Sequence, residues 1–387
     1  MPRLPLRVLI APLDWGLGHA TRSLALAHGL ETAFAAANSQ RELLLHWASN
    51  GGALALLRAE RPNDRFHALP SYGVRYPTRS ATFNMLIGAP RMALAVQAER
   101  RAAADLHEQF GFDLVISDNR YGVRLPGVLS LFVCHQVFLP VPGFHGRVAN
   151  AVHHALLRGF DELAVPDRPG AGALAGSMSR ALPRMPTEYL GVLSRFGPSD
   201  PLGNEVQEKS NPAYACDLLI VLSGPEPART RFEALLLREL RRLPARDSWK
   251  VTLVRGLARA SNQLDAAAVR SFRESGHQLQ VHDYLRSAEL EPLLRSAGAI
   301  VCRSGYSTVM DLAVIGRKAI YVPTPGQPEQ EQLGLHLAKA GKGICVQQAK
   351  LELPVQLAQL QQVREPSSSP DRERLHEWAR GIVARIE

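Results

Sequence analysis

Short apolar runs alternate with longer stretches of helical spacing along the whole chain, and no other feature narrows the fold as much. Candidate strands are Leu6–Ala11, Leu43–Ala48, Asp113–Ser117, Leu129–Cys134 and Glu162–Val165. A second series follows at Asp217–Leu222, Lys250–Arg255, Leu279–His282, Ala299–Cys302, Ala319–Val322 and Gly343–Val346. Between them, Thr21–Leu30, Arg91–Phe110, Thr230–Leu240 and Gln332–Ala340 place apolar residues at the spacing of an amphipathic helix. Strands separated by helices of this length form βαβ units and parallel sheets. A parallel strand covered on both faces reads as an unbroken apolar run, and LLIVL and AIYVP do so.

The two series are separated by Arg195 to Ala213, a stretch rich in Pro, Gly, Ser and Asn with no period. The expected organisation is an N-terminal Rossmann-like domain over 1–195, a linker over 196–213 and a C-terminal Rossmann-like domain over 214–364. A terminal helix over 365–387 follows the EPSSSP punctuation. A chain of 387 residues, 46% of them hydrophobic, has enough apolar matter for two such cores. The expected fold class is α/β, with two parallel sheets facing a central cleft at the carboxyl ends of their strands, where such sheets bind ligands.

Several function classes drop out. No run reaches the roughly 18 apolar residues of a membrane-spanning helix. Asp14 and Trp15 stand where a signal peptide would need small residues, so a cytoplasmic location is expected. The four cysteines (Cys134, Cys216, Cys302, Cys345) lie far apart with no CxxC spacing, which argues for free thiols. The formal charge of +9 suits an anionic partner. No long basic run or aromatic-interleaved patch points to nucleic acid.

Two loops carry the chemistry. In the first, Gly16-Leu-Gly18-His19 joins a strand to a helix. Its spacing is neither GxGxxG nor a P-loop, but the glycines allow close backbone approach and the helix offers its positive end. His19 and Arg22, three apart, share one helix face. The second loop, Arg303-Ser304-Gly305-Tyr306-Ser307-Thr308, leads from a strand into a helix capped by Gly316, and suits a diphosphate. Asp311, one turn on, is placed to accept hydrogen bonds from a sugar diol. Gln327, Glu329, Gln330 and Gln332, directly after the strand AIYV, supply amides and carboxylates that read sugar hydroxyls.

The order of these elements resembles glycosyltransferase family 28, the GT-B-fold group that includes the MurG-type enzymes. The resemblance rests on CRSG, the helix bearing TVxxL with an acidic residue, the Gly-Arg-Lys-Ala strand and the closing Lys-Ala-Gly, and it spans about residues 6–345. It implies transfer of a sugar from a nucleotide diphosphate sugar, a UDP-sugar above all, to a hydroxyl acceptor, with a single inverting displacement and no cofactor. It implies donor contacts at Ser223, Gly224, Leu285, Arg303, Ser304, Gly305, Ser307, Thr308, Asp311, Gln327, Glu329, Gln330 and Arg195. Prolines beside Ser223 and Gly224 thin out the N–H donors of that loop. Gly16, Gly18, Arg22, His135 and Gln136 fall on the acceptor side, where departures from the family pattern imply a different acceptor, lipid-linked, polysaccharide or small. No DxD triplet is present, so a metal clamp is not expected. His19 is the expected general base, with Asp118 as its alternative. The segment Thr82–Gln97 offers peripheral contact with the inner face of a membrane. Alternatives are a nucleotide-sugar epimerase on the same fold, or a basic protein that binds nucleic acid or another anion.

Overall fold

The computed structural model describes residues 4–37, 39–71, 81–139, 141, 143–180, 182–197, 216–244, 248–257, 266–368 and 371–387, with residues 81–91 and 268 described by their backbone. Most of the expected linker, from 198 onward, lies outside the described residues. So do the side chains of 82–91 in the expected membrane segment.

The chain divides into two compact units. Unit 1 comprises residues 1–15, 19–193 and 371–387, and unit 2 comprises 16–18 and 194–370. The strands of unit 1 are β1 (Leu6–Pro12), β2 (Leu43–Ser49), β3 (Arg65–Ala68), β4 (Leu114–Asp118), β5 (Leu129–Val133), β6 (Glu162–Val165) and β7 (Thr187–Tyr189). Its helices are α1 (Gly18–Ala36), α2 (Gly51–Glu60), α3 (Ala81–Phe110) and α4 (Gly143–Leu157). Unit 2 contains β8 (Leu218–Val221), β9 (Lys250–Val254), β10 (Gln278–His282), β11 (Ala299–Cys302), β12 (Ala319–Tyr321) and β13 (Gly343–Cys345). Its helices are α5 (Ala228–Leu240), α6 (Ala266–Glu274), α7 (Ser287–Ser296), α8 (Tyr306–Ile315), α9 (Pro328–Lys339) and α10 (Leu353–Gln361). The last helix, α11 (Arg372–Ile386), belongs to unit 1.

Both sheets are parallel throughout, in the orders β3-β2-β1-β4-β5-β6-β7 and β10-β9-β8-β11-β12-β13. Each therefore reverses direction once, between β1 and β4 in one sheet and between β8 and β11 in the other. Loops leaving such a pair diverge to opposite faces and open a crevice at the strand ends. All eleven expected strands are present within a residue or two. The two the apolar-run reading does not find, β3 and β7, are short sheet edges, where half-exposed polar sequences such as RFHA and TEY suffice.

Packing follows the same logic. In unit 2, Phe232, Leu236 and Leu240 of α5 and Phe272 of α6 lie on the apolar strand residues. Gly316 ends α8 with φ +72°, a left-handed turn that glycine adopts without a Cβ penalty. In unit 1, buried Glu162 on β6 accepts from Trp378 Nε1 at 2.9 Å and from Arg385 at 2.6 Å, which fixes α11 to the sheet. Among the described residues no helix is long and apolar enough to cross a membrane, and the cysteines are free thiols.

Candidate active site

In unit 1 the switch point lies between β1 and β4, and Pro12 pairs with Asp118 at their last register position. The loop that leaves β1 turns at Gly16, φ +81°, and enters α1 at Gly18, so the first turn of α1 stands beside the carboxyl end of β4. His19 Nδ1 lies 2.9 Å from Asp118 Oδ1. Arg22, one turn along α1 and buried, donates from Nε to Asp118 Oδ2 at 2.7 Å and from Nη2 to Oδ1. Its Nη1 lies 3.1 Å from Nδ1 of His135, in the loop after β5. Four of the sequence candidates thus form one cluster. Gln136 takes part through its backbone: its carbonyl accepts from His153 Nε2 at 3.1 Å, and Val137 accepts from His154 Nε2 at 3.0 Å. Helix α4 therefore holds the loop that carries His135.

The electrostatics separate the roles. Burial alone would raise the Asp118 carboxyl, but Arg22 and His19 outweigh it and hold the group well below the usual carboxylate range. Such a carboxylate is a poor base and a good orienter. At His19, burial lowers the pKa, Asp118 opposes and Arg22 reinforces, with a net shift below 6.5. His19 is therefore neutral at pH 7, and with Nδ1–H directed at Asp118 its basic nitrogen is Nε2. Asp118 and His19 are thus two parts of one pair.

The neighbouring turn is braced by residues that sequence reading does not single out. Arg120 and Glu99, both fully buried, pair at 2.7 Å, and Arg120 also reaches Asp14 at 3.2 Å and Pro12 O at 2.9 Å. Asn119, between Asp118 and Arg120, adopts φ +60°.

In unit 2, β8 and β11 pair up to Val221 and Cys302, so Ser223-Gly224 and Arg303-Ser304-Gly305 leave adjacent strand ends. Gly305 is the N-cap of α8, with no side-chain cap and with open space where a Cβ would stand. Ser307 and Thr308 lie in the first turn. Asp311 faces inward. Its Oδ1 accepts from Ser194 Oγ at 2.6 Å and its Oδ2 lies 3.8 Å from Arg195 Nε. Arg195 also donates to Ser287 Oγ at 3.3 Å. Burial raises the Asp311 carboxyl to about 6, Arg195 and Ser194 moderate the rise and Glu291 adds to it. Ser194 is invisible to motif reasoning, because a lone serine before an arginine carries no signal until the fold brings it to Asp311.

Other candidates are committed within the unit. Arg303, expected among the donor contacts, is turned into the interior of the unit. It is fully buried, its guanidinium lies 3.8 Å from the Phe232 ring centroid, and it donates to Val322 O, Pro323 O, Ala228 O and Gln348 Oε1. Ser304 donates to Gln330 O at 2.7 Å, and Gln330 Oε1 accepts from Thr324 N at 2.9 Å, so both side chains brace the loop after β12. Gln327 and Glu329 stand at the start of α9, and Leu285 is buried between β10 and α7. Among the described residues no cluster of three His, Cys, Asp or Glu could hold a metal.

Residues 218–381 match the glycosyltransferase family 28 C-terminal domain. The chain is a glycosyltransferase. A UDP-N-acetylglucosamine–N-acetylmuramyl-(pentapeptide) pyrophosphoryl-undecaprenol N-acetylglucosamine transferase of Acidovorax sp. (strain JS42) is 24% identical over 342 residues, 86% of this chain and 74% of its own. The enzyme of the same name from Methylobacterium nodulans is 34% identical over 119 residues, 30% of this chain and 29% of its own. Among solved structures, the glycosyltransferase SnogD from Streptomyces nogalater aligns with TM-score 0.59 at 16% identity, covering 99% of this chain and 100% of its own. Acinetobacter baumannii MurG aligns with TM-score 0.51 at 18% identity, covering 97% and 95%. The fold is GT-B and the donor is a nucleotide sugar. Transfer is favoured over the epimerase and anion-binding alternatives.

Proposed function

We propose that this glycosyltransferase uses a UDP-sugar and transfers the sugar, with inversion, to a hydroxyl of a lipid-linked acceptor, and that it works without a metal. His19 Nε2 removes the acceptor proton as the oxygen attacks the anomeric carbon. The bond from that carbon to the diphosphate breaks, and its electron pair leaves with the diphosphate. Asp118 holds the imidazole in position through Nδ1 and stabilises the imidazolium that forms. The uncapped N-terminus of α8 and Arg195 supply positive charge for the leaving diphosphate. Asp311 receives the ribose hydroxyls, and Glu329 with Gln327 meets the sugar.

The observation that carries this reading is the His19–Asp118 pair: a neutral imidazole at a strand-to-helix turn, oriented by an ionised carboxylate 2.9 Å away. The lipid-linked acceptor is supported by the names of the curated relatives and by α4. Phe144, Val148 and Val152 are exposed at i, i+4 and i+8 along that helix, which carries Arg147 and no acidic residue. This surface is a candidate for peripheral membrane contact alongside Thr82–Gln97, where Leu94 is exposed. The test is a transfer assay with purified protein, UDP-sugars, polyprenyl-linked and soluble acceptors, and mass-spectrometric detection. A glycosylated lipid, lost in His19→Ala, supports the reading. Transfer confined to soluble acceptors, or unaffected by His19→Ala, overturns it.

A further inference from the structure

A guanidinium has five donors and no acceptor, and an ionised carboxylate only accepts. These two facts fix the hydrogens of the unit 1 cluster. Arg22 Nη1 lies 3.1 Å from His135 Nδ1, so that nitrogen must present a lone pair and the ring's proton must sit on Nε2. Asp118 Oδ1 lies 2.9 Å from His19 Nδ1, which requires the opposite arrangement there: a proton on Nδ1 and a lone pair on Nε2. Arg22 Nη2 also lies 2.8 Å from His19 Nδ1, where it competes with Asp118 for that nitrogen. The competition resolves one way, because a lone pair on Nδ1 would face the acceptor-only oxygen of Asp118 at 2.9 Å, whereas a proton there is accepted by Asp118 Oδ1 and leaves Arg22 Nη2 its own bond to the same oxygen.

We infer that Arg22 is a positioning residue that sets the two imidazoles in opposite tautomers, His19 as a proton acceptor at Nε2 and His135 as an N–H donor at Nε2. Charge explains why an arginine is needed. Three groups face His19: Asp118 from β4, Arg22 from α1 and His135 from the loop after β5. Burial disfavours an imidazolium at His19, but Asp118 favours one, and a protonated ring is useless as a base. With Arg22 bound to both carboxylate oxygens the Asp118 charge is answered, and a further proton on His19 would sit beside a buried guanidinium. The relevance to catalysis rests on His19 being the base, but the tautomers can be measured without turnover.

The experiment is two-bond ¹H–¹⁵N correlation of the imidazole rings in the full chain, with His19→Gln and His135→Gln used to assign them. At pH 7 the wild type should show His19 protonated on Nδ1 and His135 on Nε2. Any other pattern overturns the inference. In Arg22→Met the His19 titration should move up by about one pH unit or more. An unchanged titration in the folded variant also overturns it. Arg22→Lys provides a second reading should the methionine variant not fold: a lysine keeps His19 neutral but cannot reach both partners as a fork, so His135 should show mixed tautomers. A fixed His135 tautomer in Arg22→Lys would assign the ordering to the surrounding loop and overturn the inference. Correct tautomers with no sugar transfer would leave the inference standing and remove the functional reading.

Discussion

Replacing Asp311 by asparagine should stabilise the protein while weakening its hold on the donor. The buried carboxyl is raised from 3.8 to about 6. A shift of about two units at 1.36 kcal/mol each means that the ionised group costs the folded state about 3 kcal/mol. The sign follows from linkage. The native state binds more protons than the unfolded chain between the two pKa values, so stability falls as pH rises through that window, and the whole cost is present above about 6. Asparagine carries no charge to desolvate, and its Oδ1 can still accept from Ser194. At pH 8 the variant should gain up to about 3 kcal/mol, or up to about 10 °C in melting midpoint. At pH 5 the gain should shrink to about half, because the wild-type carboxyl is then mostly protonated. Scanning calorimetry at both pH values measures this. A variant no more stable than wild type at pH 8, or a gain independent of pH, would refute the argument and make Asp311 an ordinary structural partner of Arg195.

Other consequences are as direct. His19→Ala should lower kcat about 10²–10⁴-fold with nucleotide affinity unchanged. Because His19 must be neutral and its pKa lies below 6.5, the wild-type rate should hold down to pH 6.5 and fall only below it. Glu99→Ala leaves Arg120 without its fully buried partner and should cost about 3–5 kcal/mol in urea unfolding of unit 1. Phe144→Ser combined with Val148→Ser should abolish flotation with anionic vesicles at low salt without changing the fold by circular dichroism.

The βαβ plan is legible because parallel strands are buried on both faces, and short apolar runs such as LLIVL, bounded by polar turns and helical spacing, read as strands. The sequence did not reveal β3 or β7, since a sheet edge needs no apolar run. Of the site, His19 and Asp118 are visible as residue types after strands, but they look like alternatives. That they are partners follows only from the pairing of Pro12 with Asp118, which no spacing encodes. Arg303 illustrates the converse. A conspicuous arginine in a diphosphate-like turn reads as a ligand group, whereas the fold stacks it on Phe232 and spends its donors on carbonyls. Charge alone does not tell a ligand contact from a strut, because both direct guanidinium donors at oxygen acceptors.

The central claim is a nucleotide-sugar site in unit 2. Calorimetric titration of the full chain with nucleoside diphosphates and their sugars tests it most directly, on wild type and on Asp311→Ala. The account predicts that a uridine nucleotide binds and that removing the Asp311 carboxylate weakens it by about 1–3 kcal/mol, a loss of roughly 5- to 150-fold. Failure of every nucleotide to bind the folded protein, or uridine-nucleotide binding untouched by the substitution, would contradict it.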